Sequence, residues 1–552
     1  MIAVLCCMVN CVSADTSGLF DYEVDGEFIT ITGYQPHTDK GEVIPATIDG
    51  KKVISIGEEA FAECRYLDKV TIPASIIGIG VFAFRDCSYL TAINVDEHNP
   101  NYSSLAGVFY NKDQTTLIQC PGGKAGGITI PSSVTSIGEH AFSDSSGLTE
   151  INVDPHNSKY SSLDGVLYNK DQTILIQCPG SKAGSIAIPS SVTGIGSSAF
   201  RNRSDLMAIN VDPRNASYSS LDGVLFNKDQ TTLIQCPEGK VGGITIPDSI
   251  NSIENRAFSN CVRLTSITVP NGVTSIKAYT FAHCTRLTSI TLPKKITRIG
   301  MAAFMLCTNL EKISIPEKVT NIEGYAFSHC ISLTSITIPA RVTSIDDAAF
   351  EFCNSLASVD IPNSVTKIGD RAFYGCFHLT GITIPPGVSI IRDDLFSFCF
   401  GLTNVSLHPG ISSIGKRAFA HCPALTSITI PESVTNIGSE AFSCCTALPG
   451  ITIPSNVTSI GDKCFYCCAR LPSITIPGSV TSIGDHAFAS CTVLTSTSFL
   501  GNAPTMGKKV FEENANDFTV YYLDGKTGFD GKDCDGLSSW KNYKVVRKDV
   551  GK

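Results

Sequence analysis

The chain has 552 residues, of which 42 are Lys or Arg and 51 are Asp or Glu, and its net charge is −9. Only 17% of the residues are charged and no basic cluster occurs, which argues against nucleic acid or anionic lipid as the main partner. A compact chain of this length would divide into several domains, whereas a repeat protein grows along one axis without that limit.

The N-terminal segment is short and apolar. Residues 1–14 end in Val12-Ser13-Ala14, a pattern typical of a secretory signal peptide cleaved before Asp15. No basic residue precedes the apolar run, so an apolar N-terminus without a targeting role is the alternative. No later stretch approaches the roughly 20 apolar residues that a membrane helix needs, and we predict no integral membrane segment.

Residues 15–52 predict an N-terminal β cap. Two segments with strand-like alternation, Tyr22–Val24 and Phe28–Thr32, flank Asp25-Gly26, which favours a hairpin turn. A repeat array needs such a cap because its first coil would otherwise expose an apolar end.

A 23-residue unit fills residues 53–494, and one phenylalanine marks each copy. An Ile always stands five residues before this Phe, and a Leu always stands six residues after it. Successive markers are 23 residues apart, except for three steps of 58 residues. The markers are Phe61, Phe84, Phe142, Phe200, Phe258, Phe281, Phe304, Phe327, Phe350, Phe373, Phe396, Phe419, Phe442, Phe465 and Phe488. The fixed period predicts a solenoid of about 15–16 coils.

Each unit predicts two short strands and a turn. In the copy that begins at Leu425, the segment Leu425–Ile430 alternates apolar and polar residues, and the following Pro431 ends the strand because proline cannot donate to a ladder. A second short extended segment runs from Val434 to Ile437, and a tight turn follows around Phe442. No segment is long enough for a sizeable helix, so the fold class is mainly β.

Three units carry insertions near residues 93–127, 151–184 and 209–242. Each insertion reads as short alternating segments separated by turn residues such as Asp164-Gly165, which predicts a β-meander. Residues 495–552 have a different, aromatic-rich composition. Because Phe511 keeps the 23-residue step, we predict a degenerate sixteenth repeat followed by a C-terminal cap.

The cysteines invite a disulfide framework, since the chain has 23 of them. Thirteen, however, occupy one repeat position, three residues after the marker Phe, where a free thiol packs as a small buried hydrophobe. We therefore predict a structural core ladder of thiols. Its members in the uninterrupted region are Cys261, Cys284, Cys307, Cys330, Cys353, Cys376, Cys399, Cys422, Cys445, Cys468 and Cys491.

Metal and cofactor sites are weakly indicated. Cys464, Cys467 and Cys468 have a spacing that suits zinc, but no second cysteine pair accompanies them, and core packing is the favoured interpretation. Three histidines share the position two residues after the marker, at least two coils apart, which is too far for one metal ion: His283, His329 and His421. We predict no catalytic residue, metal or cofactor.

Acidic residues offer two further candidate sites, one for calcium and one for a catalytic carboxylate pair. Asp96, Asp154 and Asp212 recur in the three insertions and could begin a calcium loop, although an Asx-turn explains them more simply. Adjacent acids such as Asp346-Asp347 precede a marker Phe, where solvated turn residues are expected rather than a glycosidase-like pair.

One column of outward strand positions is a candidate binding face. A regular row of hydroxyls could dock an extended protein ligand or a glycan, whereas strand propensity and solubility would select the same residues without any ligand. Both interpretations stay open. The residues are Thr268, Thr291, Ser314, Thr337, Asp360, Thr383, Ser406, Thr429, Thr452 and Thr475.

The repeat LxxIxIPxxVxxIGxxAFxxC, the insertion motif Asp-Gly-Val-Leu-Tyr-Asn-Lys-Asp and the Gly-Asn-Ala-Pro…Thr-Val-Tyr-Tyr ending resemble the BspA-like leucine-rich repeat family of surface proteins. The resemblance covers nearly all of the chain after Asp15. It implies a right-handed leucine-rich-repeat-like solenoid, secretion or display on the cell surface, and adhesion to host or matrix molecules.

Three functions follow in order of preference. The first is a secreted or surface-displayed, non-enzymatic repeat protein that binds a protein or glycan ligand. The second is a structural spacer of the cell envelope or matrix without a specific ligand. The third is an enzyme hidden in the insertions, which is disfavoured because the three copies share no catalytic constellation.

Overall fold

A computed structural model describes residues 15–17, 19–35, 42–529, 539–540 and 543–548. The predicted signal peptide at residues 1–14 and part of the predicted C-terminal cap lie outside these residues. The chain forms two compact units, Met1–Asp229 with Cys236–Lys240 and Gln230–Gln235 with Val241–Lys552. Strands and turns, and no helix, make up the described residues, which confirms the predicted mainly β solenoid.

Unit 1 has two strand faces and an N-terminal cap. The first face consists of parallel strands, in three separate sheets: Glu42–Val43, Lys69–Ile72, Ala92–Val95; Gly126–Ile130, Leu148–Val153; Gly184–Ile188, Leu206–Val211. The second face consists of Lys51–Ile56, Gly78–Ile79, Thr116–Gln119, Ser136–Ile137, Ile174–Gln177 and Gly194–Ile195. The cap strands are Asp15–Ser17, Phe20–Asp25, Phe28–Tyr34 and Thr47–Ile48.

The insertions form the predicted meanders. The hairpin strands are Tyr102–Leu105 with Val108–Asn111, Tyr160–Leu163 with Val166–Asn169, and Tyr218–Leu221 with Val224–Asn227. Their turns need two consecutive residues with positive φ, which Asp164 (49°) and Gly165 (76°) supply in the second copy. In the first two copies the third meander strand also belongs to the solenoid, because it pairs in parallel with the second face of the next coil.

Unit 2 carries the uninterrupted repeats, and their parallel strands form two faces. The first face consists of Gly242–Thr245, Leu264–Thr268, Ser289–Thr291, Lys312–Ser314, Ser335–Thr337, Ser358–Asp360, Gly381–Thr383, Asn404–Ser406, Ser427–Ile428, Ser473–Ile476, Ser496–Phe499, Thr519–Leu523 and Tyr543–Lys548, with Ser539–Trp540 antiparallel to the last. The second face consists of Thr232–Gln235, Ser252–Ile253, Ser275–Ile276, Arg298–Ile299, Asn321–Ile322, Ser344–Ile345, Lys367–Ile368, Ile390–Ile391, Ser413–Ile414, Asn436–Ile437, Ser459–Ile460, Ser482–Ile483 and Thr505–Met506.

The third side of each coil is a turn that is also hydrogen-bonded to its neighbours. The N–H of Phe281 donates to the carbonyl of Ala303 in the next coil at 2.8 Å. The N–H of His283 donates in the same way to Met305 at 2.7 Å. The residues two before and two after the marker have positive φ, 56° at Tyr279 and 61° at His283. This left-handed backbone turns alternate N–H groups toward the next coil, and the ladder offsets its steric cost of roughly 1–2 kcal/mol per residue.

The core of unit 2 is a continuous stack of marker rings. Phe327 and Phe350 lie 5.4 Å apart with their planes 2° from parallel, and the spacing between Phe304 and Phe327 is 5.3 Å. Phe511 continues the stack at 5.4 Å from Phe488. The solenoid core therefore grows by adding one ring for each coil.

The eleven cysteines of the predicted ladder are free thiols and are 0% exposed. Each thiol from Cys284 onward donates to the carbonyl of the marker Phe in the preceding coil, as Cys353 does to Phe327 at 3.2 Å. Burial raises the pKa of the Cys307 and Cys376 thiols to about 12. The column therefore supplies weak hydrogen bonds as well as packing.

The cysteine column is interrupted in the coils that follow the first two insertions. Ser145 replaces the cysteine after the first insertion, and its hydroxyl donates to the carbonyl of Cys120 at 3.2 Å. Arg203 replaces it after the second, and its Nε donates to the carbonyl of Cys178 at 2.6 Å. The N–H of Cys120 bonds to Ala141 at 2.8 Å, as a marker Phe would. In these two coils the preceding neighbour is thus the last segment of the insertion, and nothing in the structure explains why Cys261, after the third insertion, keeps the thiol.

A buried asparagine in each insertion joins two coils. Asn157 is 0% exposed, and its amide nitrogen donates to the carbonyls of Pro131 and Val134 at 2.8 and 2.9 Å. Its side-chain oxygen accepts the N–H groups of Lys159 and Tyr160, both at 2.8 Å. Asn99 and Asn215 make the equivalent contacts in the other copies.

We expect Asn157→Ala to lower the free energy of unfolding of unit 1 by about 2 kcal/mol, because four backbone groups lose their partner in a dry site. Urea unfolding combined with amide hydrogen exchange of the coils around residue 157 measures the effect. The exposed neighbour Ser158 provides the control variant, Ser158→Ala, which should change stability by less than about 0.5 kcal/mol. Equal stability of the two variants would contradict the role assigned to the amide.

Candidate functional site

The candidate binding residues lie together on the first face of unit 2. We call the ten residues predicted above the hydroxyl ladder; all ten are exposed. Parallel pairing places equivalent residues side by side, as in Thr268 with Thr291, Ser314 with Thr337, and Thr383 with Ser406. Neighbouring members are therefore about 4.8 Å apart along the solenoid.

The hydroxyl ladder differs from two other hydroxyl columns of unit 2 in its hydrogen bonding. Thr403 donates to the carbonyl of Thr380 in the preceding coil at 2.8 Å, and Thr297 donates to Thr274 at 3.2 Å. Such bonds recur along both of those columns. By contrast, no hydroxyl of the ladder donates to a protein acceptor among the described residues. Its nine hydroxyls therefore remain available to a ligand, since each can donate and accept.

A groove interrupts the ladder face around Gly450. The coil that contains Pro449 and Gly450 carries no strand on this face. Thr429, Thr452 and Thr475 of the hydroxyl ladder line the groove. A Cβ added at Gly450 would meet no heavy atom within 4 Å, so the groove is open above this residue.

An aromatic surface lies on the turn side of unit 2, and the sequence analysis did not identify it. We call Phe352, Tyr374, Phe377, Phe398 and Phe400 the aromatic patch. Phe352 contacts Tyr374 with ring centroids 5.2 Å apart, Tyr374 contacts Phe398 at 5.4 Å, and Phe377 contacts Phe400 at 4.9 Å. Phe400 is exposed and the other four rings are half-buried. A cluster of accessible rings of this kind is a frequent feature of interaction surfaces.

Gly375 and two histidines shape the aromatic patch. Gly375 has φ +67°, and a Cβ there would lie 2.6 Å from Cδ1 of Phe352, so only glycine leaves room for that ring. His329 packs on Phe352 at 4.8 Å and His421 stacks on Phe398 at 4.4 Å. Burial lowers the pKa of His329, whereas a hydrogen bond with the Cys444 thiol raises the pKa of His421.

Two ion pairs join neighbouring coils on the turn side, near the aromatic patch. The Arg371 guanidinium binds the half-buried face of Tyr374 at 4.3 Å and donates to Glu351 at 2.6 Å. Arg417 donates from two nitrogens to the two oxygens of Asp394, both at 2.8 Å. The Arg371 guanidinium therefore links the Tyr374 ring to Glu351 of the preceding coil.

The cysteines proposed from zinc spacing are separated by the fold. Cys464 and Cys468 are buried in the core, while Cys467 is half-buried beside Cys444 of the preceding coil. Within the residues that the structure covers, no group of three or more His, Cys, Asp or Glu could hold a metal ion. The zinc interpretation therefore finds no support in the described part of the chain.

The aspartates of the insertions form Asx-turns. The side-chain oxygen of Asp154 accepts the N–H of His156 at 2.8 Å, and that of Asp96 accepts the N–H of His98 at 2.9 Å. Asp212 does the same with Arg214 at 2.8 Å. These bonds favour the simpler of the two interpretations given above over a calcium loop.

The described ranges contain no helix of the length and apolar character that crossing a membrane requires. Six copies of the family model described as BspA type leucine rich repeat region match residues 46–125, 124–216, 178–241, 235–353, 320–430 and 412–523. No curated protein matches the chain.

Several solved structures are similar to the chain. A leucine rich cell surface protein from Faecalibacterium prausnitzii is 26% identical, with 64% of this chain and 95% of that chain covered and a TM-score of 0.37. A leucine-rich repeat protein from Bacteroides ovatus is 22% identical, with 88% and 99% covered and a TM-score of 0.35. The pneumococcal vaccine antigen PcpA is 21% identical, with 78% and 94% covered and a TM-score of 0.29. Because these TM-scores are low, the repeat matches alone carry the assignment.

Proposed function

Because this chain belongs to the BspA type leucine rich repeat family, we propose that it is a non-enzymatic binding protein, secreted or displayed on the cell surface. Its hydroxyl ladder would bind a protein or glycan partner. The observation that carries this proposal is the set of nine exposed ladder hydroxyls without an acceptor among the described residues, in contrast to two other columns whose hydroxyls donate to the preceding coil.

The chemistry of the ladder suits a polar, extended ligand. A hydroxyl can donate to a peptide carbonyl or a sugar oxygen, and can accept from an amide or a sugar hydroxyl. The β-branched threonines have few side-chain rotamers, so little side-chain entropy would be lost when a ligand binds. The groove at Gly450 supplies the concave position that a flat sheet lacks.

The spacer function predicts no specific ligand, so a binding screen distinguishes it from the proposal. The screen uses immobilised fibronectin, laminin and collagen together with a glycan array, and the full chain as analyte. Saturable binding of the wild-type protein to one of these probes supports the binding function. Absence of binding to every protein and glycan in the screen counts against it and favours the spacer.

We expect Gly450→Phe to weaken binding to any probe identified in this way by about tenfold, because the ring fills the groove. The open space above Gly450 lets the substitution leave the fold intact, which circular dichroism checks. Thr458→Phe is the matched control, since Thr458 is exposed beside the second-face strand Ser459–Ile460 of the same coil, and this variant should leave affinity unchanged.

A third variant separates the two candidate surfaces. Phe400→Ser removes the exposed ring of the aromatic patch and should leave binding at the ladder unchanged. If Phe400→Ser abolishes binding while Gly450→Phe retains it, the aromatic patch and not the ladder is the binding face.

A further inference from the structure

Two cysteines differ from all other described cysteines in their accessibility. Of the 19 cysteines that the structure describes as free thiols, only Cys444 and Cys467 are half-buried, and the others are buried. Both stand two residues after a marker Phe, in consecutive coils. The solenoid therefore places its two accessible described thiols next to each other.

The backbone holds this pair in register. Cys444 and Cys467 have φ angles of 59° and 60°, so their side chains leave the turn in the same direction. The N–H of Cys444 donates to the carbonyl of Tyr466 at 2.7 Å, which fixes the two coils together at this point. Neighbouring coils place the two Cα atoms roughly 5 Å apart. This separation lies within the range of about 4.4–6.8 Å found for disulfide-bonded cysteines.

A histidine on the other side makes the pair asymmetric. His421 occupies the same repeat position in the preceding coil, and its stacking on Phe398 at 4.4 Å holds the ring in place. Its hydrogen bond to Cys444 lowers the pKa of that thiol, and the hydroxyl of Ser443 also donates to the sulfur at 3.8 Å. Burial and the neighbouring Cys444 raise the pKa of Cys467. The carboxylate of Glu440 acts on the same histidine.

We propose that Cys444 and Cys467 form a thiol–disulfide exchange site that reacts with low-molecular-weight disulfides and closes to a disulfide between adjacent coils. The Cys444 thiolate attacks one sulfur of the external disulfide, forms a mixed disulfide and releases one thiolate, which takes up a proton. Cys467 then loses its proton and attacks the sulfur of Cys444, releasing the second small thiol. Two protein thiols are oxidised and one external disulfide is reduced to two thiols.

The core ladder explains why the reaction would be confined to this pair. The neighbouring Cys445 is 0% exposed, its thiol donates to the carbonyl of Phe419 at 3.2 Å, and burial raises its pKa. A protonated, inaccessible thiol does not attack a disulfide, because the thiolate is the nucleophile. This inference is independent of the ligand of the hydroxyl ladder.

The test is peptide mapping by mass spectrometry after the folded full chain is incubated with oxidised glutathione at pH 7, acid-quenched and alkylated. In the wild-type protein we expect a cross-link between the peptides of Cys444 and Cys467. In Cys467→Ser we expect glutathione to accumulate on Cys444. In Cys444→Ser we expect Cys467 to remain mostly reduced over the same time.

His421→Gln tests the activating role of the imidazole. We expect it to slow the first step about three- to tenfold at pH 7, with a smaller effect at pH 9, where the thiolate forms without help. Cys445 provides an internal control for folding, because it should be alkylated only after urea is added. Equal or faster reaction at Cys467 than at Cys444 would overturn the proposal. So would a wild-type mixed disulfide that never closes.

Discussion

Phe350→Ala is expected to destabilise unit 2 by about 3–5 kcal/mol, since a fully buried aromatic ring is replaced by a cavity. The Phe350 ring is 0% exposed and stacks on Phe327 and Phe373, both at 5.4 Å. In a repeat array each coil contacts only its two neighbours, so one deletion weakens both interfaces of its coil. The loss should therefore be concentrated in the centre of the unit.

Urea unfolding measures the total loss of stability, and amide hydrogen exchange shows which coils lose it. Phe352→Ala is a matched control, because this ring belongs to the same coil but is half-buried in the aromatic patch. We expect this control to cost about 1 kcal/mol, as for partly exposed side chains in general. If both variants lose the same stability, the ring stack is not the main support of the unit.

Glu238→Ala is expected to destabilise unit 1 by about 3–5 kcal/mol, because it leaves a buried guanidinium without its counter-charge. Arg203 is 1% exposed and Glu238 is 3% exposed. The Glu238 carboxylate accepts the backbone N–H groups of Asn202 and Arg203 at 2.8 and 2.6 Å. Burial lowers the pKa of Arg203, and the neighbouring carboxylate opposes this shift. Removal of the carboxylate therefore removes both a charge partner and two hydrogen bonds.

The chain provides a natural comparison for this pair. The positions equivalent to Arg203 and Glu238 one insertion earlier are Ser145 and Gly180, where a Cβ on the glycine would lie 2.2 Å from the carbonyl oxygen of Ser145. The double variant Arg203→Ser/Glu238→Gly should thus lose less stability than Glu238→Ala alone. Glu139→Ala is the control, because Glu139 is an exposed acid of the same unit. It should change the free energy of unfolding, measured in urea, by less than about 0.5 kcal/mol. A double variant less stable than the single one would contradict this account.

The sequence predicted the coil correctly where one residue type recurs at one position. The marker Phe, the Ile before it and the Leu after it predicted the stack, because residues 23 apart in sequence are neighbours in space. The same argument found the buried cysteine column. It did not show that these thiols donate to the Phe carbonyls, since that bond depends on the positive φ of the turn residue between Phe and Cys.

The substitutions in the cysteine column show a second limit of prediction from the sequence. Ser145 and Arg203 interrupt the column after the first two insertions, whereas Cys261 keeps the thiol after the third, and the sequence offered no reason for the difference. The structure shows that the last segment of the insertion lies where a marker Phe would otherwise lie, so the donor at this position meets a different carbonyl. Neighbours in space are here no longer 23 residues apart.

The period and the residues that never vary determined the architecture of this protein from sequence alone, because each coil can stack only on the next copy of itself. The tertiary structure decided which groups remain free for function. It assigned the hydroxyls of two columns to the backbone and left those of the hydroxyl ladder exposed. It also gathered the aromatic patch from different positions of neighbouring coils, and brought Cys444, Cys467 and His421 together. These features depend on side-chain direction and exposure, which a one-dimensional period does not contain.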